Sequence, residues 1–355
     1  MRGGYLMHIT ILMPNLPPAV CGIADHSLLL GKSLERLGAS VDHLALHCEK
    51  TTPHGAETCV WDGTANGLQA AIRKHGTNVL WIQYSGYGFS RKGAPGSLAR
   101  AIEHVVRCRS GTSIVVCMHE THASRASLGW RTPIIQPLQI SVARRIVRAA
   151  DIVFATVNAN LERCIHEYGV SRHAIRLLPI TSNLPDVHVT DAERERFRNR
   201  LGLEKETRIA AIFGLLSSQL RTITLFRADL ASALRRGHIE HIVAVGGEAI
   251  PSTMSAVLRE ADHFNGRMSV LGPAPADDVA RILRCCDIGL IPTPPDHLRK
   301  SGVVAAFVAA GLEIWMKDAS GNTIVGMDME AFPTWDQIAT FAFETMNSHF
   351  AVTGH

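Results

Sequence analysis

Short apolar runs alternate with longer amphipathic stretches from residue 8 to residue 180, stop at a polar segment, and then start again. Such alternation predicts an α/β chain whose parallel sheets are covered by helices on both faces. Strands are expected at 8–13, 40–46, 78–83, 113–119, 152–157 and 175–179, with helices at 24–37, 65–75, 96–109, 134–149 and 159–168. Across the polar stretch 181–207, Thr190 followed by Glu193 fits a capping box that opens a short charged helix. The second series places strands at 208–213, 241–246, 268–271 and 288–292, and helices at 222–236, 253–264, 276–285, 302–310 and 335–350. The expected architecture is two doubly wound domains, residues 1–185 and 186–335, with a closing helix at 336–355 packing back on the first. Ligands of such sheets bind beyond the carboxyl ends of the strands, so a cleft between the two domains is the expected site.

At 355 residues the chain suits two domains of roughly 150 residues each. Hydrophobic residues at 46% and charged residues at 19% exclude disorder, collagen and coiled coil. A net charge of +4 and an aromatic content of 6% give no basic or stacking surface for nucleic acid. The 8 cysteines contain no Cys-x-x-Cys pair, and Cys285 and Cys286 are neighbours, which suits neither zinc nor a disulfide framework. They read as reduced, mostly buried thiols of a cytoplasmic protein. The first apolar stretch ends at prolines and reads as a strand rather than a signal peptide. No apolar run reaches the length of about 18 residues that a spanning helix needs, so any membrane contact is made from the surface.

Chemistry-bearing residues collect where strands end. After the first strand, Gly22 opens a helix, with Asp25 in its first turn. Backbone amides there suit an anion or a sugar, although an ordinary strand-to-helix turn reads the same way. The dinucleotide fingerprint G-x-G-x-x-G is absent. The segment 83–95, with Tyr84, Tyr87 and the Arg91–Lys92 pair, suits either a polyhydroxylated ligand or a solvated loop. His119 and Glu120 close another strand, where an imidazole and a carboxylate can meet a substrate hydroxyl. The spacing to His122 does not make a zinc motif. In the second half, strands end at Gly214, at Gly246 with Glu248, and before Pro273, and Arg221 is expected just ahead of a helix. Arg299, Lys300, Ser301 and Gly302 lead into an apolar helix. This suits a diphosphate pocket, or a core helix with Ser301 as its N-cap.

Taken in order, these residues resemble the GT-B glycosyltransferases, above all the large retaining family (family 4-like) that uses nucleotide-diphosphate sugars. The resemblance rests on Cys21-Gly-Ile-Ala-Asp25, Leu37-Gly-Ala-Ser-Val41, Ala150-Asp-Ile-Val-Phe-Ala155 with Asn158, and Leu178-Pro-Ile180. It continues through Val245-Gly-Gly-Glu248, Val270-Leu-Gly272, Cys286-Asp-Ile-Gly-Leu-Ile-Pro292 and the run from Ser301-Gly302 to Gly311-Leu312. It implies two Rossmann-like domains, the first binding the acceptor and the second the nucleotide sugar. It further implies Gly214, Arg221, Lys300 and the amides of Ser301 and Gly302 near the diphosphate. Gly246, Glu248 and Pro273 belong with the rest of the donor, and His119 lies against the transferred sugar. Glu120 joins His119 as a candidate catalytic group, and Gly22, Asp25, Tyr84 and Tyr87 are candidate acceptor contacts.

The family's Arg after the glycine is Leu215 here, and Arg221 stands where a lysine is usual. Its Glu-x7-Glu pair falls on Leu298 and Ala306, neither of them acidic, and Glu313 replaces a usual proline. Transfer would pass through an oxocarbenium-like state, with charge growing on the leaving diphosphate. No Asp-x-Asp motif is present, and neither a metal nor a cofactor beyond the substrate is expected. The expected partners are a nucleotide sugar and a glycan, lipid-linked or small-molecule acceptor. The missing carboxylates leave two further readings open: a pseudo-glycosyltransferase with an unusual donor, or a non-catalytic scaffold subunit of a polysaccharide assembly system.

Overall fold

The structure, a computed structural model, describes residues 7–17, 19, 21–47, 59–108, 111–124, 128–247, 250–292, 298–299, 301–318, 320–326 and 330–353. The chain divides into two compact units, Met1–Pro179 with Pro333–His355, and Ile180–Phe332. The division falls ahead of the residue 185 expected from the polar stretch. Leu178 is still buried in a core of the first unit, whereas Leu184 and Val189 already pack on a core of the second.

The first unit holds a sheet of strands β1 (His8–Asn15), β2 (Ser40–His47), β3 (Cys59–Val60), β4 (Val79–Tyr84), β5 (Ser113–Met118), β6 (Ile152–Ala155) and β7 (Ile175–Leu177). Their order is β3-β2-β1-β4-β5-β6-β7, and every pairing is parallel. Helices α1 (Gly22–Arg36), α2 (Ala65–Lys74), α3 (Gly86–Phe89), α4 (Gly96–Arg107), α5 (Thr132–Arg148) and α6 (Asn158–His166) connect them. Strands β4 and β5 are buried along their whole length, which is why both read as apolar runs with a single polar residue each, Gln83 and Ser113. Alternate residues feed opposite cores. Leu80, Ile82 and Tyr84 pack with Leu98, Ile102 and Ile146, while Val79 and Trp81 pack with Leu30 and Leu34 of α1.

The second unit contains β8 (Ile209–Phe213), β9 (His241–Val245), β10 (Met268–Gly272), β11 (Ile288–Ile291), β12 (Glu313–Lys317) and β13 (Thr323–Val325), in the order β10-β9-β8-β11-β12-β13. Only β13 is antiparallel to its neighbour among these described strands. Its helices are α7 (Asp191–Arg200), α8 (Leu216–Arg236), α9 (Pro251–Ala261), α10 (Ala276–Arg284) and α11 (Gly302–Ala310). The capping box forms as expected: Thr190 accepts from the Glu193 amide while Glu193 accepts from the Thr190 amide at 2.9 Å. Strands β3, β12 and β13 had no counterpart in the sequence pattern. Two of them are only two and three residues long, and β12 is bracketed by Glu313 and Lys317, which pair with Arg208 (2.7 Å) and Asp229 (2.6 Å).

An aspartate is used in the same way in both units. Asp151 accepts from the Ile114 amide (2.7 Å) while its own amide donates to the Ile114 carbonyl (2.8 Å). Asp287 does the same with Ile209, at 2.8 and 2.9 Å. Each thereby registers a strand start against its parallel neighbour. The closing helix α12 (Trp335–Thr353) belongs to the first unit, where Ile338, Ala339, Ala342 and Met346 enter the core beside α1. Arg36 and Asp336 pair across these two helices at 2.5 Å. No helix among the described residues is long and apolar enough to cross a membrane.

Candidate functional site

In a doubly wound sheet the crevice lies at the carboxyl ends of the strands where the order reverses. In the first unit that is the end of β1, β4 and β5. His119 follows β5 directly, its amide donating to the Tyr84 carbonyl at 3.0 Å. Its ring is buried and its Nε2 lies 2.7 Å from Gln83 Oε1. The Asn160 side chain on α6 donates to the carbonyls of Met118 (3.3 Å) and His119 (3.1 Å), which holds the turn. Glu120 is half-buried and accepts from the Ser85 hydroxyl at 2.5 Å; the same hydroxyl accepts from the Gly88 amide and caps α3. Gln139, buried on α5, donates to the Tyr87 hydroxyl (3.0 Å) and the Lys92 carbonyl (2.8 Å) and accepts from the Ala123 amide (2.9 Å). Segments 85–93 and 119–123 are therefore stitched into one surface carrying Glu120 and the exposed Tyr87.

Tyr84 is a correction. Its side chain is 1% exposed and lies in the core with Leu80 and Ile82, because strand alternation turns it away from Gln83. Burial also raises its phenol pKa. It offers no surface to an acceptor. Gly22 is exposed at the first turn of α1 and Asp25 is half-buried there, placing a carboxylate at the positive end of that helix.

In the second unit the corresponding ends carry Gly214, Gly246 and Gly272, all at positive φ (120°, 90° and 70°). Gln219, fully buried on α8, ties them together. Its Nε2 donates to the carbonyls of Gly214 (2.8 Å), Val245 (3.1 Å) and Gly246 (3.1 Å). The Gly246 amide in turn donates to the Gly272 carbonyl at 2.8 Å. A Cβ placed on Gly214 would stand 3.3 Å from Val303 in the first turn of α11, so the glycine brings its loop close to that helix start. Pro273 follows, exposed.

Arg221 lies inside α8 rather than ahead of it. The polar residues Ser217 and Ser218 disguise the first turns, whose buried stripe is Leu216, Gln219, Thr222, Ile223 and Phe226. Its side chain is exposed and forms no hydrogen bond or ion pair among the described residues. Ser301 caps α11: its hydroxyl accepts from the Val304 amide at 3.3 Å, and its own amide donates to the Leu298 carbonyl at 3.1 Å. That leaves the first amides of α11 itself, beginning with Gly302, facing outward from the helix end. Arg299 pairs with Glu330 (2.7 Å) and covers the Phe332 ring. Leu298 and Ala306, at the two positions where the family carries glutamates, are both buried in core. Glu248 and Lys300 lie outside the described residues, as does Asp296.

The structure thus gathers Gly214, Gly246 and the Gly302 end of α11 in one unit, and His119, Glu120 and Tyr87 in the other. The buried amides of Gln83, Gln139, Asn160 and Gln219 were not singled out from sequence. A signal existed for two of them, since Gln139 and Gln219 are polar residues set in a largely apolar helical stripe. An open cavity of about 440 Å³, lined by Asp151, His173, Arg176, Phe341 and Glu344 among others, lies at the opposite end of the first sheet and shares no residue with these sites.

No protein-family model matches the sequence, and a search of curated proteins finds no match. Solved structures do match. A glycosyltransferase from Rickettsia africae superposes with a TM-score of 0.57 at 12% identity, covering 99% of this chain and 90% of that one. HepE of Anabaena, in complex with UDP and glucose, gives 0.54 at 15% identity, covering 86% and 80%. A UDP-GlcNAc 2-epimerase from Methanocaldococcus jannaschii gives 0.54 at 10% identity, covering 95% and 92%. The chain has the GT-B fold, with a Rossmann-like sheet in each unit.

Proposed function

We propose that this protein transfers a sugar from a nucleotide-diphosphate sugar to a glycan, lipid-linked or small-molecule acceptor, with retention at the anomeric carbon. The observation that carries this reading is the Gln219 clamp, which draws the glycine turns after β8 and β9 together beside the start of α11. Glycine turns of this kind let backbone approach phosphates closely, and a helix start favours their charge. The fold shared with a protein crystallised with UDP and glucose supports the same reading. In the reaction, charge grows on the leaving diphosphate and is met by Arg221, Lys300 and the amides that begin at Gly302. Gly246, Glu248 and Pro273 flank the nucleoside. Glu120, held by Ser85, meets a substrate hydroxyl, with Tyr87, Gly22 and Asp25 on the acceptor. His119, with its ring engaged by Gln83, orients the acceptor or the transferred sugar.

Replacing Arg221 with alanine is expected to weaken UDP binding by about tenfold or more, the size of one charge-assisted hydrogen bond to phosphate. Calorimetric titration with UDP measures this, and an unchanged affinity removes Arg221 from the site. The burial of Leu298 and Ala306 favours a second reading, in which the chain binds nucleotide with an altered donor or serves as a non-catalytic scaffold. A panel of nucleotide sugars separates the two: UDP binding with slow donor hydrolysis supports the enzyme, whereas no nucleotide binding supports the scaffold.

A lipid-linked acceptor fits one surface of the first unit. Trp130, in the turn just ahead of α5, and Ile134 and Leu138 in its first half, four residues apart, are 81%, 70% and 47% exposed. Arg131 lies against Trp130, and Arg144 and Arg148 continue the exposed face. An apolar stripe with an aromatic anchor and flanking cations suits an anionic bilayer surface. The protein should therefore co-sediment with phosphatidylglycerol vesicles at low salt, and the double variant Trp130→Ser, Ile134→Ser should lose most of that binding. Equal sedimentation of the variant would reject this surface.

A further inference from the structure

We propose that His26, Cys117 and His119 hold one divalent cation of the zinc class beneath the carboxyl ends of β4 and β5. Helix α1 lays His26 over the face of the sheet toward which Gln83, Cys117 and His119 point. Gln83 and Cys117 are register partners, and His119 lies two residues beyond on the same face. The three side chains are 5%, 0% and 8% exposed, and their ligating atoms all lie within 4.8 Å of one another. Zinc bonds of about 2.3 Å to sulfur and 2.1 Å to nitrogen put tetrahedral ligand atoms about 3.6 Å apart. Side-chain rotations that close the triad by about an ångström therefore complete it.

A second observation points to an occupant. His26 Nε2 is buried without a hydrogen-bond partner, and so are Gln83 Nε2 and Trp81 Nε1 on the same side of β4. A buried polar atom left unpaired costs about 1–3 kcal/mol, so such atoms on one sheet face are seldom idle. His119 Nε2 lies 2.7 Å from Gln83 Oε1, and an amide carbonyl beside an imidazole is the usual support of a metal-bound histidine. A bound cation displaces the Cys117 thiol proton to solvent and takes the thiolate as its ligand. Two imidazoles and a thiolate form a borderline-soft donor set, suited to zinc or cobalt rather than magnesium or calcium. Trp335 of α12, with its ring 4.9 Å from that of His26, helps close the site, and three protein ligands leave a fourth position open.

No metal was expected from the sequence, because its ligands come from α1 and from the end of β5 and form no short motif. The inference does not rest on sugar transfer, and each can fail without the other.

The test uses the full chain, stripped with a chelator and titrated with Co²⁺. One equivalent should bind with intense visible bands and a thiolate-to-cobalt transition in the near ultraviolet, and one equivalent of Zn²⁺ should abolish both. Cys117→Ser should remove the thiolate transition, His26→Gln should weaken Zn²⁺ at least tenfold, and Cys164→Ser, a buried thiol elsewhere in this unit, should change neither. Should the variants fold poorly, X-ray absorption of the zinc-loaded wild type decides, with one sulfur and two imidazoles expected. No retained cobalt, a spectrum that survives Cys117→Ser, or a zinc shell without sulfur overturns the proposal.

Discussion

Replacing Gln219 with methionine is expected to weaken UDP binding by about tenfold or more while leaving the fold intact. Methionine matches glutamine in length and fits the buried position, but it cannot donate. The carbonyls of Gly214, Val245 and Gly246 then lose their shared partner. Each unpaired buried group costs about 1–3 kcal/mol, and the turns relax to reach water instead. The glycines there stand at positive φ, with φ of 97° at Gly247 next in line, so the turns have little intrinsic reason to keep one shape. Calorimetry with UDP and amide exchange at residues 214–216 and 246–247 measure the two consequences together. Faster exchange with weaker binding is the expected pair. Unchanged exchange would mean that the Gly246–Gly272 backbone bond holds the turns without the side chain.

Replacing Asp287 with alanine is expected to cost the second unit about 3–5 kcal/mol, the usual penalty for stranding one half of a buried ion pair. Arg198 reaches Asp287 at 3.1 Å, and the two side chains are only 4% and 25% exposed. The same carboxylate accepts from the Ile209 amide, so its loss also frees the register of β8 against β11. Asp287→Asn keeps an acceptor for that amide and should fall between wild type and alanine. A chain of two units need not unfold in one step. The transition is best followed through Trp315, which is the only tryptophan of the second unit and is buried in its core. A midpoint in urea unchanged from wild type would show that Arg198 finds another partner.

Several of these features could be read from sequence because they are local. The buried strands β4, β5, β8 and β9 appear as apolar runs since parallel strands covered on both faces need apolar residues on both. Helix α11 spans the expected residues because Ser301 caps one end and Gly311, at φ of 78°, ends the other. That His119 and Glu120 follow directly on the end of a strand was legible from the apolar run before them. Tyr84 misled because its neighbours in sequence, Gln83 and Ser85, both reach the site, whereas alternation sends Tyr84 into the opposite core. Arg221 misled because two serines hide the start of α8.

What the sequence determined alone was the doubly wound pattern and where its buried strands end, since hydrophobic periodicity and capping act over a few residues. Only the tertiary structure decided which polar groups share a partner. Gln219 meets Gly246, Gln139 meets Tyr87, and His26 comes beside Cys117 and His119, all across intervals in which no residue records its distant neighbour. Those meetings depend on the order in which the parallel strands assemble and on which face each side chain takes, and both are settled by packing the whole unit.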